Sequence, residues 1–335
     1  MKLINPKSME KGFTLIEIMI ALLLGAFLIG GVLQIFLNTR QTYRMQENLS
    51  RLQENGRFAM EFIGRDLRMA DYWGCISSAD IENKLNASTY DAFSNGITGQ
   101  ENDNGGNDGD NDNDENNNNV WDGTDTFTIR GSGGSEINIK QQPTTTAAVL
   151  KVKNNSGLAQ NDIVIISNCI AGDIFQITNV TSGGGFDNIV HNTGTGTPGN
   201  ASQRLEIGPE PTTPQPNTNR YGPDSKITRL NFISYKIDNG SGNQPSLFRS
   251  INGSAYNELI EGIENMQILY GVDTNDDGTP NHYIDASTVP DWSKVISTRI
   301  TLTARTLNNN FTQTGDGRLR RKFTSTIVLR NRLKL

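Results

Sequence analysis

Residues 13 to 37, FTLIEIMIALLLGAFLIGGVLQIFL, run for 25 positions with Glu17 as their only ionisable side chain. At 1.5 Å per residue this stretch is long enough to cross a hydrocarbon layer of ~30 Å. A helix that is apolar all round must be covered on all sides, so a membrane anchor is the expected structure. Lys2, Lys7 and Lys11 stand before it against a single Glu10, and Arg40 and Arg44 follow it. The basic leader favours a cytoplasmic N-terminus with the rest of the chain exported. A secretory signal has a shorter apolar run of ~7–15 residues and a small-residue cleavage site after it. Neither is present, so the apolar run is expected to stay in the mature protein.

No proline occurs between Pro6 and Pro143, and Met45, Leu49, Leu52, Phe58, Phe62, Ile63 and Leu67 continue an apolar stripe beyond the membrane, spaced mostly three or four apart. One helix from about Phe13 to Met69 is predicted, with residues 13–37 as its transmembrane half and 38–70 as its exported half. After Trp73, short β-branched and aromatic runs alternate with Gly, Asn, Asp and Pro, so residues 71–335 read as a β-rich head with long loops. Strands are expected at Thr126 to Arg130, Val149 to Val152, Ile163 to Ser167, Phe175 to Val180, Ile227 to Ile237, Leu247 to Ser250, Met266 to Val272, Ser297 to Arg305 and Phe323 to Leu329. The fold class is α+β, a long helix packed on an antiparallel sheet. Residues 183–223 hold six of the eleven prolines and are expected to be a surface loop.

Charge is unevenly placed. Lys and Arg number 30 against 36 Asp and Glu, but 101–119 alone hold seven acids, nine Asn and three Gly. Without that insert the chain is near neutral, and the insert reads as a disordered, self-repelling loop. Basic residues cluster only at the C-terminus, so no nucleic-acid partner is expected. Export places Cys75 and Cys169, the only cysteines, in an oxidising space. A bridge between them is favoured over two buried free thiols, tying the end of the helix to the middle of the sheet.

A carboxylate inside a bilayer costs several kcal/mol and persists where it has a partner or a task. Glu17 lies in KGFTLIE, Lys11 to Glu17, after a short basic leader. This string, followed by an unbroken apolar helix, resembles the processing site of type IV pilins and type II secretion pseudopilins. The resemblance implies that a prepilin peptidase removes 1–12 by cutting after Gly12, that Phe13 becomes N-methylated, and that Glu17 meets the Phe13 ammonium of a neighbouring subunit. Pairing two charges that are each costly in lipid offsets both penalties. Major pilins usually carry a proline in this helix; here only Gly25, Gly30 and Gly31 can loosen it. Residues 53–75, 270–306 and 320–332 together resemble the PilW group of minor pilins. The implied role is a structural, non-catalytic subunit of type IV pilus assembly in an initiation or tip complex. Implied partners are other minor pilins, the major pilin, the prepilin peptidase, the inner membrane and the assembly platform. The location implied is the inner membrane with a periplasmic head, then the fibre or its tip. A J-like type II secretion pseudopilin and a calcium-dependent tip adhesin are the alternatives.

Asp273, Asn275, Asp277 and Gly278 make D-x-N-x-D-G, the start of an EF-type calcium loop, with Thr279 at the carbonyl position. Position twelve is Ile284 rather than Glu and no helical pattern flanks the motif, so calcium competes with a plain polar turn. GTGTPG at 194–199 matches a dinucleotide fingerprint, but lacks a following helix and is read as a turn. His191 and His282 are expected to be solvated loop residues. The tail from Arg318 has seven bases and no acid, and is expected to place a strand between flanking charges. Arg330 and Arg332 are candidates for a basic docking edge facing an acidic neighbour.

Overall fold

The apolar run and the stretch after it form one unbroken helix, α1 (Leu15–Leu67), in a computed structural model that describes residues 12–86, 95–101, 123–144, 146–194, 196–206, 221–309, 311 and 315–333. The leader lysines, nearly all of the acidic insert, and 207–220 lie outside the described residues. Fifty-three residues at 1.5 Å each give a rod of about 80 Å. Thr14 caps its start, and the chain turns away from its end through Asp71 at φ 59°. Every residue from Leu15 to Glu47 is exposed except Gly25, which is half-buried, so this half of the helix makes no core with the head.

Among the described residues fifteen strands make the head: β1 (Ile81–Asn83), β2 (Ile97–Gln100), β3 (Thr126–Gln141), β4 (Val149–Lys153), β5 (Ile163–Ser167), β6 (Gly172–Gln176), β7 (Asn179–Gly183), β8 (Phe186–Val190), β9 (Lys226–Asn239), β10 (Pro245–Ile251), β11 (Asn257–Glu261), β12 (Ile263–Val272), β13 (His282–Ile284), β14 (Val295–Arg305) and β15 (Arg320–Val328). A four-stranded antiparallel sheet runs β13-β12-β14-β15. An eleven-stranded sheet follows β1-β6-β5-β9-β3-β4-β8-β7, with β2, β10 and β11 branching from it. Among the described strands only the β1–β6 pair is parallel.

β3 and β9 carry the architecture because their length lets them enter two cores. Phe127, Ile129, Tyr235 and Ile237 belong to the core beneath α1, whereas Ile139 and Ile227 lie in a second core with Leu150, Phe175 and Ile189. The β3–β9 register shifts between Gly133 and Ile137, where the paired strands pass from one core to the other. A third, smaller cluster of Trp73, Ile76, Ile165, Ile174 and Leu230 surrounds the exit of the helix.

Three expectations change. Within 183–223, expected to be loop, Phe186–Val190 forms β8 against β4 and β7, and His191 is fully buried. Alternate burial of Asp187 and Ile189 supplies the strand signal that the surrounding Gly and Asn obscure. The run Phe175 to Val180 is split between β6 and β7. On α1 the buried stripe is Leu52, Gly56, Ala59, Ile63 and Leu67, while Phe58 and Phe62 lie off it. The reason is steric: a Cβ on Gly56 would fall 2.2 Å from the Phe323 ring, so small residues are needed where helix meets β15. The displaced rings pack under Arg57 and Arg65.

Candidate functional site

At the helix start, Thr14 and Glu17 form a reciprocal cap. The Thr14 backbone N–H and hydroxyl each donate to Glu17 Oε2 at 2.9 Å, and Glu17 N–H donates to Thr14 Oγ1 at 3.3 Å. Such a cap stabilises a helix by about 1 kcal/mol. In lipid it matters more, because unmet polar groups there cost several kcal/mol each. Gly12 and Phe13 precede it in open, non-helical backbone, with nothing within 4 Å of a Cβ on Gly12 and the Phe13 ring 85% exposed. The peptide link between them is therefore separate from the hydrogen-bonded helix.

The rod is mounted on the head by apolar and charged contacts together. Leu52, Ala59, Ile63 and Leu67 pack against the four-stranded sheet; burying each large aliphatic side chain contributes roughly 1.5–3 kcal/mol. Asn55 donates to the Glu261 carbonyl at 3.0 Å. Asp66 is buried in the interface, where its Oδ2 accepts from the Tyr235 hydroxyl at 2.6 Å and pairs with Arg249 at 2.7 Å. Burial pushes the Tyr235 phenol well above its ordinary value, so it stays a donor. At the helix exit, Asp71 Oδ1 accepts from Trp73 Nε1 at 2.7 Å, and its Oδ2 accepts from Arg332 Nε at 2.9 Å. Arg332 also donates to the carbonyls of Trp292 and Val295. Beside this lock Cys75 is bonded to Cys169, which sits at φ 68° in the turn between β5 and β6.

Arg332 is thus not part of a docking edge. Its side chain is 4% exposed and neutralises a buried aspartate. Of the other tail bases, Arg318 donates to the Thr306 and Leu307 carbonyls, and Arg320 pairs with Glu264 and Asp316. Sequence reading gave no role to Asp66 or Asp71 and a different one to Arg332, and nothing local marks the three as interior anchors, since their partners lie up to 261 residues away.

The Asp273 turn is folded by its own backbone. Asp273 Oδ1 accepts from the N–H groups of Asn275 and Asp277, and its Oδ2 from Gly278 N–H at 2.8 Å. Asn275 Nδ2 donates to Asp277 Oδ2 at 2.9 Å, Asp277 Oδ1 accepts from Thr279 N–H, and Lys294 pairs with Asp276 at 2.5 Å. Among the described residues no group of three or more His, Cys, Asp or Glu is placed to hold a metal. His191, expected in solvent, packs on Phe175 with ring centroids 5.0 Å apart, and burial pushes its imidazole down to about 4. At the hairpin that bears the acidic insert, burial lifts Asp125 to about 7 while it accepts from Ile268 N–H at 2.6 Å, with Glu101 nearby.

Among the described residues one exposed apolar helix, capped through an acidic third residue and rooted in a β head, is long and apolar enough to anchor the protein in a membrane. Residues 7–33 match the Prokaryotic N-terminal methylation motif, and residues 234–331 match the family of Type IV Pilus-assembly protein W. The second match runs from within β9 through β15, and so contains the whole four-stranded sheet on which α1 rests. No curated protein and no solved structure matches the chain. The two family matches support a PilW-like type IV minor pilin, anchored in the inner membrane and later in the pilus. The family implies interaction with other pilus components and with the prepilin peptidase.

Proposed function

We propose that this chain is a structural, non-catalytic minor pilin that enters the initiation or tip complex of a type IV pilus after cleavage between Gly12 and Phe13 and N-methylation of Phe13. The observation that carries the reading is Glu17 in the capping box of a helix exposed on every side. In the lone subunit the Thr14 groups satisfy Glu17 Oε2, so the helix can wait in the bilayer without an orphaned carboxylate. Oε1 is left to accept the Phe13 ammonium of the subunit already in the fibre. Apolar packing then supplies cohesion and the charge pair sets register.

The test is replacement of Glu17. Glu17→Gln keeps an acceptor for the cap but removes the charge, and Glu17→Val removes both. Both variants should be processed and held in the membrane at normal levels yet fail to support surface pili. Full piliation with either variant would sink the role given to Glu17. Loss of protein secretion with pili intact would move the chain to a secretion machine.

A further inference from the structure

The nine residues of β15 end the smaller sheet, paired with β14 on one side and with no described strand on the other. The other strands paired on one side alone among the described residues, β1, β2, β7, β11 and β13, are three to five residues long. A long free edge presents unpaired N–H and C=O groups and is ordinarily shortened, covered or kept apart by charge. Here α1 runs alongside it, and a groove opens between Gln53, Arg57 and Met60 on the helix and Arg321, Phe323 and Ser325 on the strand. Phe323, Ser325 and Ile327 face inward along β15. The small Ser325 between two large side chains leaves a notch beside Met60. Arg57 and Arg321 flank the groove, both exposed, each set over a phenylalanine ring at 5.5 and 5.6 Å, and neither pairs with a described carboxylate. Glu54 is the one acid in the lining.

We propose that this edge receives an extended acidic segment from a different pilus subunit, which adds a fifth strand beside β15. Main-chain hydrogen bonds to β15 give the strand its hold, one apolar side chain fills the notch at Ser325 and Met60, and a carboxylate meets Arg57 and Arg321. The sign of the charge chooses the partner and speeds its approach. This inference rests on the minor-pilin reading and assigns the face by which the head selects its neighbour.

The experiment uses the full chain in piliated cells, with a photoreactive benzophenone residue replacing Lys322. The expected result is an adduct whose mapped partner peptide is an Asp- or Glu-containing extended segment of another pilin. No adduct, or adducts only with lipid, with a second copy of this chain or with a neighbour's N-terminal helix, overturns the proposal. Arg57→Glu combined with Arg321→Glu should cut both adduct and surface pili by at least roughly tenfold, at unchanged chain level and thermal midpoint. Changing the mapped carboxylate to Lys should then restore both. If deleting the whole chain leaves pili intact, the minor-pilin reading itself fails. If deletion abolishes pili and the charge-reversed chain restores them fully, only the edge assignment fails.

Discussion

At the scale of single residues, the head is held by polar groups that are costly alone. Asp71 and Arg332 are each 4% exposed in their side chains, and removing one partner of a buried pair leaves the other uncompensated, a loss of about 3–5 kcal/mol. Arg332→Leu should lower the unfolding free energy of the head by that amount, read from urea denaturation at fixed pH. Asp125 works through protonation. Its folded value, about 7 against an ordinary 3.8, means that the folded state holds the proton more tightly than the unfolded one. Its contribution is therefore complete below about pH 4 and is lost as pH rises toward 7. Asp173, also lifted by burial to about 7, acts with the same sign and His191, pushed down to about 4, with the opposite one across the same window, so the raw stability curve mixes the three. Comparison with Asp125→Asn, which keeps an oxygen for Ile268 N–H, isolates the aspartate. The wild-type chain should lose on the order of 1–3 kcal/mol relative to the variant between about pH 4.5 and 7.5, measured by denaturation at each pH.

At the scale of elements, the long helix ends where the sheet begins, and the Cys75–Cys169 bond fixes that junction to the β5–β6 turn. The crosslink closes a loop of sequence separation 94. Reduction, or Cys75→Ser with Cys169→Ser, should cost roughly 2–5 kcal/mol and lower the thermal midpoint of the head. The turn from Asp273 to Asn281 keeps its calcium reading as a proposal. Asn275 and Asp277 lie beside Asp273 with the Asn275 amide nitrogen turned to Asp277, so a bound hard cation would require that amide to turn its oxygen inward. Calorimetry should then show a calcium-dependent rise in midpoint that a chelator reverses; an unchanged midpoint would leave a turn held by Asp273 alone.

At the scale of the molecule, rod and head divide the work. Since residues 15–37 bury almost nothing against the head, a shortened chain beginning at Asn38 should stay folded, with a thermal midpoint within about 2 °C of the full-length head. A larger drop would show that the anchor supports the fold. Beyond Asn48 the helix becomes part of the core, and its removal would open the cluster containing Leu52, Ala59, Ile63 and Leu67.

The anchor, its acidic third residue, the α+β class and most strands were legible from local pattern. A 25-residue apolar run has one physical solution in water and lipid, and alternating β-branched residues carry their own period. The acceptable spacing of Phe58 and Phe62 could not reveal that Gly56 and Ala59 win the interface, because that depends on how closely β15 approaches. β8 was hidden in a Gly- and Asn-rich run, and its strand identity comes from pairing with β4 and β7. The tail bases looked alike in sequence; the fold buries Arg332 on Asp71, ties Arg320 to Glu264 and sets Arg321 over the Phe323 ring with no carboxylate partner among the described residues. Sequence alone determined what crosses the membrane and that a β head follows. Only tertiary structure decided which charges hold that head together and which face outward, because burial and distance, not residue type, set the free energy of a charge.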